Sequence, residues 1–234
     1  MSGQTIDIKI GNGSEKGFTG YLALPPSKKG PALLLVQEIF GVNHHIRQTA
    51  DLYAEAGFVV LAPDVFWRIK PHMELGYKPD DINEAMQIMQ KSDRDQILKD
   101  LSAALSTLRA RPEAAGKVGV VGYCLGGNMA YRLATQDLVD CAVSYYGGGI
   151  DQYLDAAQNL HCPLIMHFGE KDSHITMPVV EKIKTALKDK GHVEIYVYKG
   201  ADHGFNCDER ASYDRKSAML AFGRSMVLLN KTLT

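Results

Sequence analysis

A chain of 234 residues, 45% hydrophobic and 23% charged, has the make-up of a soluble globular protein that can bury its own core without disulfides or metal. Its 26 Lys+Arg against 27 Asp+Glu leave a net charge of −1, which removes any bulk electrostatic case for nucleic acid or an anionic membrane as partner. No run reaches the ~18 apolar residues of a membrane span, and Met1-Ser2-Gly3-Gln4-Thr5-Ile6-Asp7 lacks the basic-then-apolar pattern of a secretory signal. Four scattered cysteines, Cys124, Cys141, Cys162 and Cys207, with no C-x-x-C pair, then predict a reducing, cytoplasmic setting.

In chain order, Gln4–Ile10 alternates apolar and polar residues, Gly17–Ala23 reads as its partner strand, and the turn signal Gly11-Asn12-Gly13 between them predicts an N-terminal hairpin. Short apolar runs then alternate with helical patterns. Strands are expected over Ala32–Val36, Phe58–Leu61, Val118–Val121, Cys141–Tyr145, Leu164–Phe168 and Val193–Tyr198. Helices are expected over Asn43–Ala56, Asp93–Arg109, Leu125–Thr135, Pro178–Lys190 and Ser212–Asn230. Wholly apolar strands alternating with helices imply a doubly wound, mostly parallel sheet covered on both faces, in one α/β domain over residues 1–234.

The densest chemistry lies in Gly122-Tyr123-Cys124-Leu125-Gly126, a G-x-C-x-G between a strand and a helix. This is the nucleophile-elbow pattern with Cys for Ser: a turn so sharp that Gly122 and Gly126 must lack side chains, lifting the nucleophile above the sheet at a helix N-terminus. Unpaired N–H groups and the helix dipole there favour a thiolate and a developing oxyanion. Such an elbow needs an acid and then a base later in the chain. Asp172 and His203 each follow a strand, where open α/β sheets place their sites. Glu170 is the alternative acid. In this arrangement the oxyanion-hole N–H groups belong to Leu125 and to Ile39, in the loop after Ala32–Val36. Glu38 then falls beside the nucleophile, either to act there or to pair with an arginine. His44-His45 are adjacent on a helix, so their side chains diverge; no metal site and no cofactor are expected.

Gln37-Glu38-Ile39-Phe40-Gly41-Val42, Pro63-Asp64, Gly122-Tyr123-Cys124-Leu125-Gly126-Gly127, Tyr145-Tyr146-Gly147 and Gly204-Phe205 after His203 together resemble the dienelactone hydrolase (carboxymethylenebutenolidase) family. The resemblance runs from about Gly17 to the last helix. It implies an α/β-hydrolase fold, a Cys124–His203–Asp172 triad and Glu38 as the group that activates the thiol. Members that act on dienelactone hold its carboxylate with arginines, one of them four residues after the catalytic histidine. Here that position is Cys207, and Arg68 and Arg210 are the candidate replacements.

The expected function is therefore hydrolysis of a small-molecule ester or enol-lactone through an acyl-enzyme at Cys124, by a monomer or small homo-oligomer. A broad carboxylesterase or thioesterase would use the same triad. A thiol redox sensor would use an exposed Cys124 without one.

Overall fold

The computed structural model describes residues 3–11 and 15–234, with only the backbone at Glu15 and Lys16. Eight strands form one mostly parallel sheet in the order β1-β2-β4-β3-β5-β6-β7-β8, and the chain divides into two compact units, one ending at Val118 and the other beginning at Gly119.

In the first unit β1 (Gln4–Ile10) pairs antiparallel with β2 (Glu15–Ala23), as a hairpin requires; past Gly11, the predicted turn Gly11-Asn12-Gly13 lies outside the described residues. β2 pairs antiparallel with β4 (Val59–Pro63), and β4 pairs parallel with β3 (Gly30–Val36). Every residue of β4 is buried, so both faces of that strand are covered. Helix α1 (His44–Glu55) packs on β4 through buried Ile46, Ala50 and Tyr53. It begins where the Asn43 side chain accepts the Ile46 N–H.

Helix α2 (Pro79–Lys91) has no counterpart among the expected elements. Its start is written in Pro79 and in the acidic first turn of Asp80 and Asp81. Its body buries only Ala85 and Ile88 and leaves Ile82 and Met86 exposed, so it carries no clear apolar stripe. Helix α3 (Arg94–Arg109) is the reverse case: Ile97, Leu98, Leu101, Leu105 and Leu108 are all buried, as their spacing predicts. Asp93 caps it, its Oδ1 accepting the N–H groups of Asp95 at 2.8 Å and Gln96 at 3.2 Å. Replacing this exposed cap, Asp93→Ala, is expected to lower unfolding stability by about 1 kcal/mol in urea denaturation; an unchanged midpoint would show that the cap contributes nothing.

The second unit holds the parallel run β5 (Ala114–Tyr123, which enters it at Gly119), β6 (Cys141–Tyr145), β7 (Leu164–Gly169) and β8 (Val193–Tyr198). Between them come α4 (Leu125–Ala134), two short 3₁₀ segments (Ile150–Gln152 and Leu154–Asn159) and α5 (Met177–Leu187). α6 (Arg215–Leu233) closes the chain, starting three residues later than expected because Asp214, rather than an earlier residue, caps the Ser217 N–H. All ten residues of α4 are buried, which makes it a rigid base for whatever stands at its N-terminus.

Candidate active site

β5 ends at Tyr123 and α4 begins at Leu125, so the whole reversal of the chain falls on Cys124. Cys124 takes φ 54° and ψ −112°, a left-handed conformation that a non-glycine residue adopts only when its surroundings impose it. A Cβ at Gly122 would sit 1.9 Å from the Gly126 carbonyl oxygen, so position 122 admits no side chain. Gly127, which the elbow pattern does not include, is equally constrained: its Cβ would come within 2.5 Å of the Tyr145 oxygen. The Cys124 N–H donates to that same oxygen at 3.0 Å, tying the elbow to the end of β6. Leu125 is the first residue of α4, so its N–H is one of the leading donors that a helix cannot pair internally.

Three side chains distant in sequence converge here. His203 Nε2 lies 3.3 Å from Cys124 Sγ. On the other side of the ring, His203 Nδ1 donates to Asp172 Oδ2 at 2.7 Å. Asp172 is buried, and its second oxygen accepts the N–H groups of His174 at 2.8 Å and Ile175 at 2.9 Å. Glu170 is not in this line: its carboxylate is exposed and accepts the Gly200 N–H instead.

Burial alone would raise the Asp172 carboxyl, but the hydrogen bond and charge of His203 and the two backbone donors outweigh it and hold Asp172 below its usual range. Burial likewise opposes charge on His203. Negative charge at Cys124, and hydrogen bonds to Asp172 and Cys124, overcome that and hold the imidazole well above its ordinary value. A histidine so placed can carry positive charge beside the sulfur.

Two neighbours of His203 were not singled out for the site from the sequence. The ring of Tyr146 meets the His203 ring edge-on at 5.1 Å, and the backbone of Tyr146 has φ 36°. The exposed ring of His174 meets it at 5.1 Å from another direction. Tyr146 follows β6 directly and so stands at the carboxyl end of a strand, the signal that could have marked it. Phe205 packs on Tyr145, Tyr146 and Tyr198 and completes an aromatic bed behind the histidine.

The candidate arginines differ. The Arg210 guanidinium lies against the residue after His203: a Cβ at Gly204, which has φ +76°, would come within 2.3 Å of Arg210 Nη1. Cys207, four residues after His203, is wholly buried. In the first unit, Arg68 makes a two-pronged ion pair with buried Asp100, Nε to Oδ2 at 3.0 Å and Nη2 to Oδ1 at 2.9 Å, and its guanidinium stacks 4.2 Å from the Trp67 ring. Glu38 and Ile39 also belong to the first unit, in the loop after β3, where Glu38 is 1% exposed.

The sequence profile of the Dienelactone hydrolase family matches residues 18–233. Carboxymethylenebutenolidase 1 of Cupriavidus pinatubonensis is 30% identical over 223 residues, 95% of this chain and 95% of its own. The carboxymethylenebutenolidase of Pseudomonas sp. strain P51 is 31% identical over 232 residues, 98% of this chain and 94% of its own. Among solved structures, the dienelactone hydrolase-like promiscuous phosphotriesterase P91 from metagenomic libraries superposes with a TM-score of 0.81 at 20% identity, covering all of both chains, a likeness of fold.

Proposed function

The chain belongs to the dienelactone hydrolase family and has its α/β-hydrolase fold, and on that footing we propose that residues 1–234 act as one domain that cleaves a small ester or enol-lactone through a thioester at Cys124. The single observation that carries the reading is the unbroken line Cys124 Sγ, His203, Asp172, at 3.3 Å and 2.7 Å. Among the described residues the four cysteines form no disulfide, in keeping with a cytoplasmic setting.

The thiolate of Cys124 adds to the substrate carbonyl, and the N–H of Leu125 receives the developing oxyanion. From the sequence pattern alone, the Ile39 N–H is the second donor, and Glu38 takes the resting thiol's proton as substrate binds and returns it to the sulfur once the product has left. Collapse of the tetrahedral adduct expels the alcohol or enol oxygen, which leaves with a proton from the His203 imidazolium. Neutral His203 then takes a proton from water, and the hydroxide adds to the thioester. Release of the acid returns the sulfur as a thiolate paired with protonated His203. Asp172 fixes the Nδ1–H tautomer and stabilises the imidazolium throughout.

The substrate carboxylate is assigned to Arg210, whose guanidinium lies against Gly204, the residue after His203. Losing a charge-assisted hydrogen bond in a desolvated pocket is worth roughly 1.5–3 kcal/mol. Arg210→Ala is therefore expected to lower kcat/KM for a carboxylated enol-lactone by about 10- to 150-fold, while an uncharged aryl ester is affected by no more than about threefold. Equal effects on both substrates, or none on either, would remove Arg210 from substrate recognition. The hydrolase reading itself is tested by steady-state turnover of the two substrates: if the parent protein cleaves neither, it fails, and the redox-sensor alternative takes its place.

A further inference from the structure

A groove of about 630 Å³ in the second unit, whose lining does not include Cys124, lies between α6 and the sheet's last strand, β8. Its walls include His192, Glu194 and Tyr196 from the strand side and Arg224, Val227 and Lys231 from the helix. Two features here are unusual for a surface. β8 reads Val-Glu-Ile-Tyr-Val-Tyr and pairs only with β7 among the described strands. Glu194 is its one charged residue, and it has no lysine, proline or bulge of the kind by which exposed edge strands usually avoid association. Alongside it, Met219, Leu220 and Val227 of α6 are 62%, 47% and 69% exposed. With a 3.6-residue period they fall on one stripe, and Gly223 lies at its centre.

We infer that α6 and the outer edge of β8 form the isologous interface of a homodimer, with Gly223 on the two-fold axis. The stripe is symmetric about that glycine: Met219 precedes it by four residues and Val227 follows it by four, so an antiparallel second α6 sets Met219 of each copy on Val227 of the other. A Cβ at position 223 would meet nothing within 4 Å, so the glycine is not required by the fold of one chain; it lets two helix backbones approach. A crossing angle near ~50° carries the cationic helix ends, Arg215 and Lys231, apart from their counterparts. Glu194 on the strand and Lys231 on the helix put both signs of charge on the same face, as a self-complementary contact needs. The inference does not depend on the chemistry proposed for Cys124.

Sedimentation velocity of the full chain at micromolar concentration is expected to give twice the 25.7 kDa chain mass. The double variant Met219→Glu with Val227→Glu, both at exposed positions, is expected to sediment as a single chain. In a separate variant, Gly223→Cys is expected to cross-link two chains under mild oxidation, whereas Lys188→Cys, on the exposed end of α5, is not. A parent protein that sediments as a monomer, a dimer that survives both glutamates, or a Gly223→Cys protein that cross-links no better than Lys188→Cys would each overturn the proposal.

Discussion

Replacing Cys124 by alanine is expected to leave a folded protein whose turnover of esters and lactones falls on the order of 10⁴- to 10⁶-fold. Little packing is lost, because Cys124 is only partly buried and the elbow is held by Gly122, Gly127 and the bond from the Cys124 N–H to Tyr145. The covalent step is lost altogether. His203→Ala removes the other partner of the 3.3 Å pair and is expected to cost a similar factor. The double variant should be no slower than either single one, since residues that act as a unit lose their effect together. Asp172→Asn keeps the shape but removes the charge that selects the tautomer, and is expected to cost less, about 10²- to 10⁴-fold. Aryl-ester kinetics on the parent and the four variants check this. Turnover in the Cys124→Ala protein within about tenfold of the parent would contradict the assignment.

The second large effect concerns stability and lies in the middle of β7. His167 is wholly buried in a chain of hydrogen bonds that runs in one direction. Ser225 donates its only hydroxyl proton to the Ala221 carbonyl at 2.8 Å, so its oxygen must accept from Tyr145 at 2.9 Å and from His167 Nε2–H at 3.0 Å. His167 Nδ1 is then the acceptor for the Tyr198 hydroxyl at 2.9 Å, and Tyr198 accepts from Arg224 at 3.1 Å. The neutral ring thus satisfies every partner. Burial, helped by the Arg224 charge, pushes the His167 pKa down to about 3.

An unfolded histidine protonates near ~6.5, so below that pH the unfolded chain takes up a proton that the folded chain refuses. Stability therefore falls as pH drops from about 6.5 toward 3, by up to ~1.4 kcal/mol per pH unit. Asp172 adds nothing to the slope between pH 6.5 and 5: its carboxyl is held low, so its contribution is lost only at still lower pH. His167→Gln is expected to be less stable than the parent at pH 7, because the Tyr198 partner is lost. The gap should narrow by about 2 kcal/mol between pH 6.5 and 5. Urea unfolding of both proteins at these pH values tests it; parallel curves would show that His167 is not the group resisting protonation.

Much of the fold and site could be read from the sequence where the signal is local. Cys124 lies in a five-residue pattern whose first glycine, Gly122, admits no side chain, and Asp172 and His203 follow strands β7 and β8. Cys141–Tyr145 and Val193–Tyr198 have the very limits that their residues suggest. Signals made by tertiary contact were not legible. Nothing near Arg68 announces that Asp100, on the first turns of α3, completes its ion pair, and nothing near His174 shows that its ring meets His203. α2 escaped for the opposite reason: its side chains are mostly exposed, so periodicity had almost no buried stripe to report.

The central claim is that the acyl group rests on the sulfur of Cys124 during turnover. The direct measurement is intact-protein mass spectrometry after rapid mixing with a slowly deacylating aryl ester and acid quench, followed by peptide mapping. The account predicts one added acyl group per chain, located on the peptide that carries Cys124, absent from the Cys124→Ala protein, and disappearing as the acid product forms. Hydrolysis in the parent without any adduct, or with the acyl group on another residue, would contradict it.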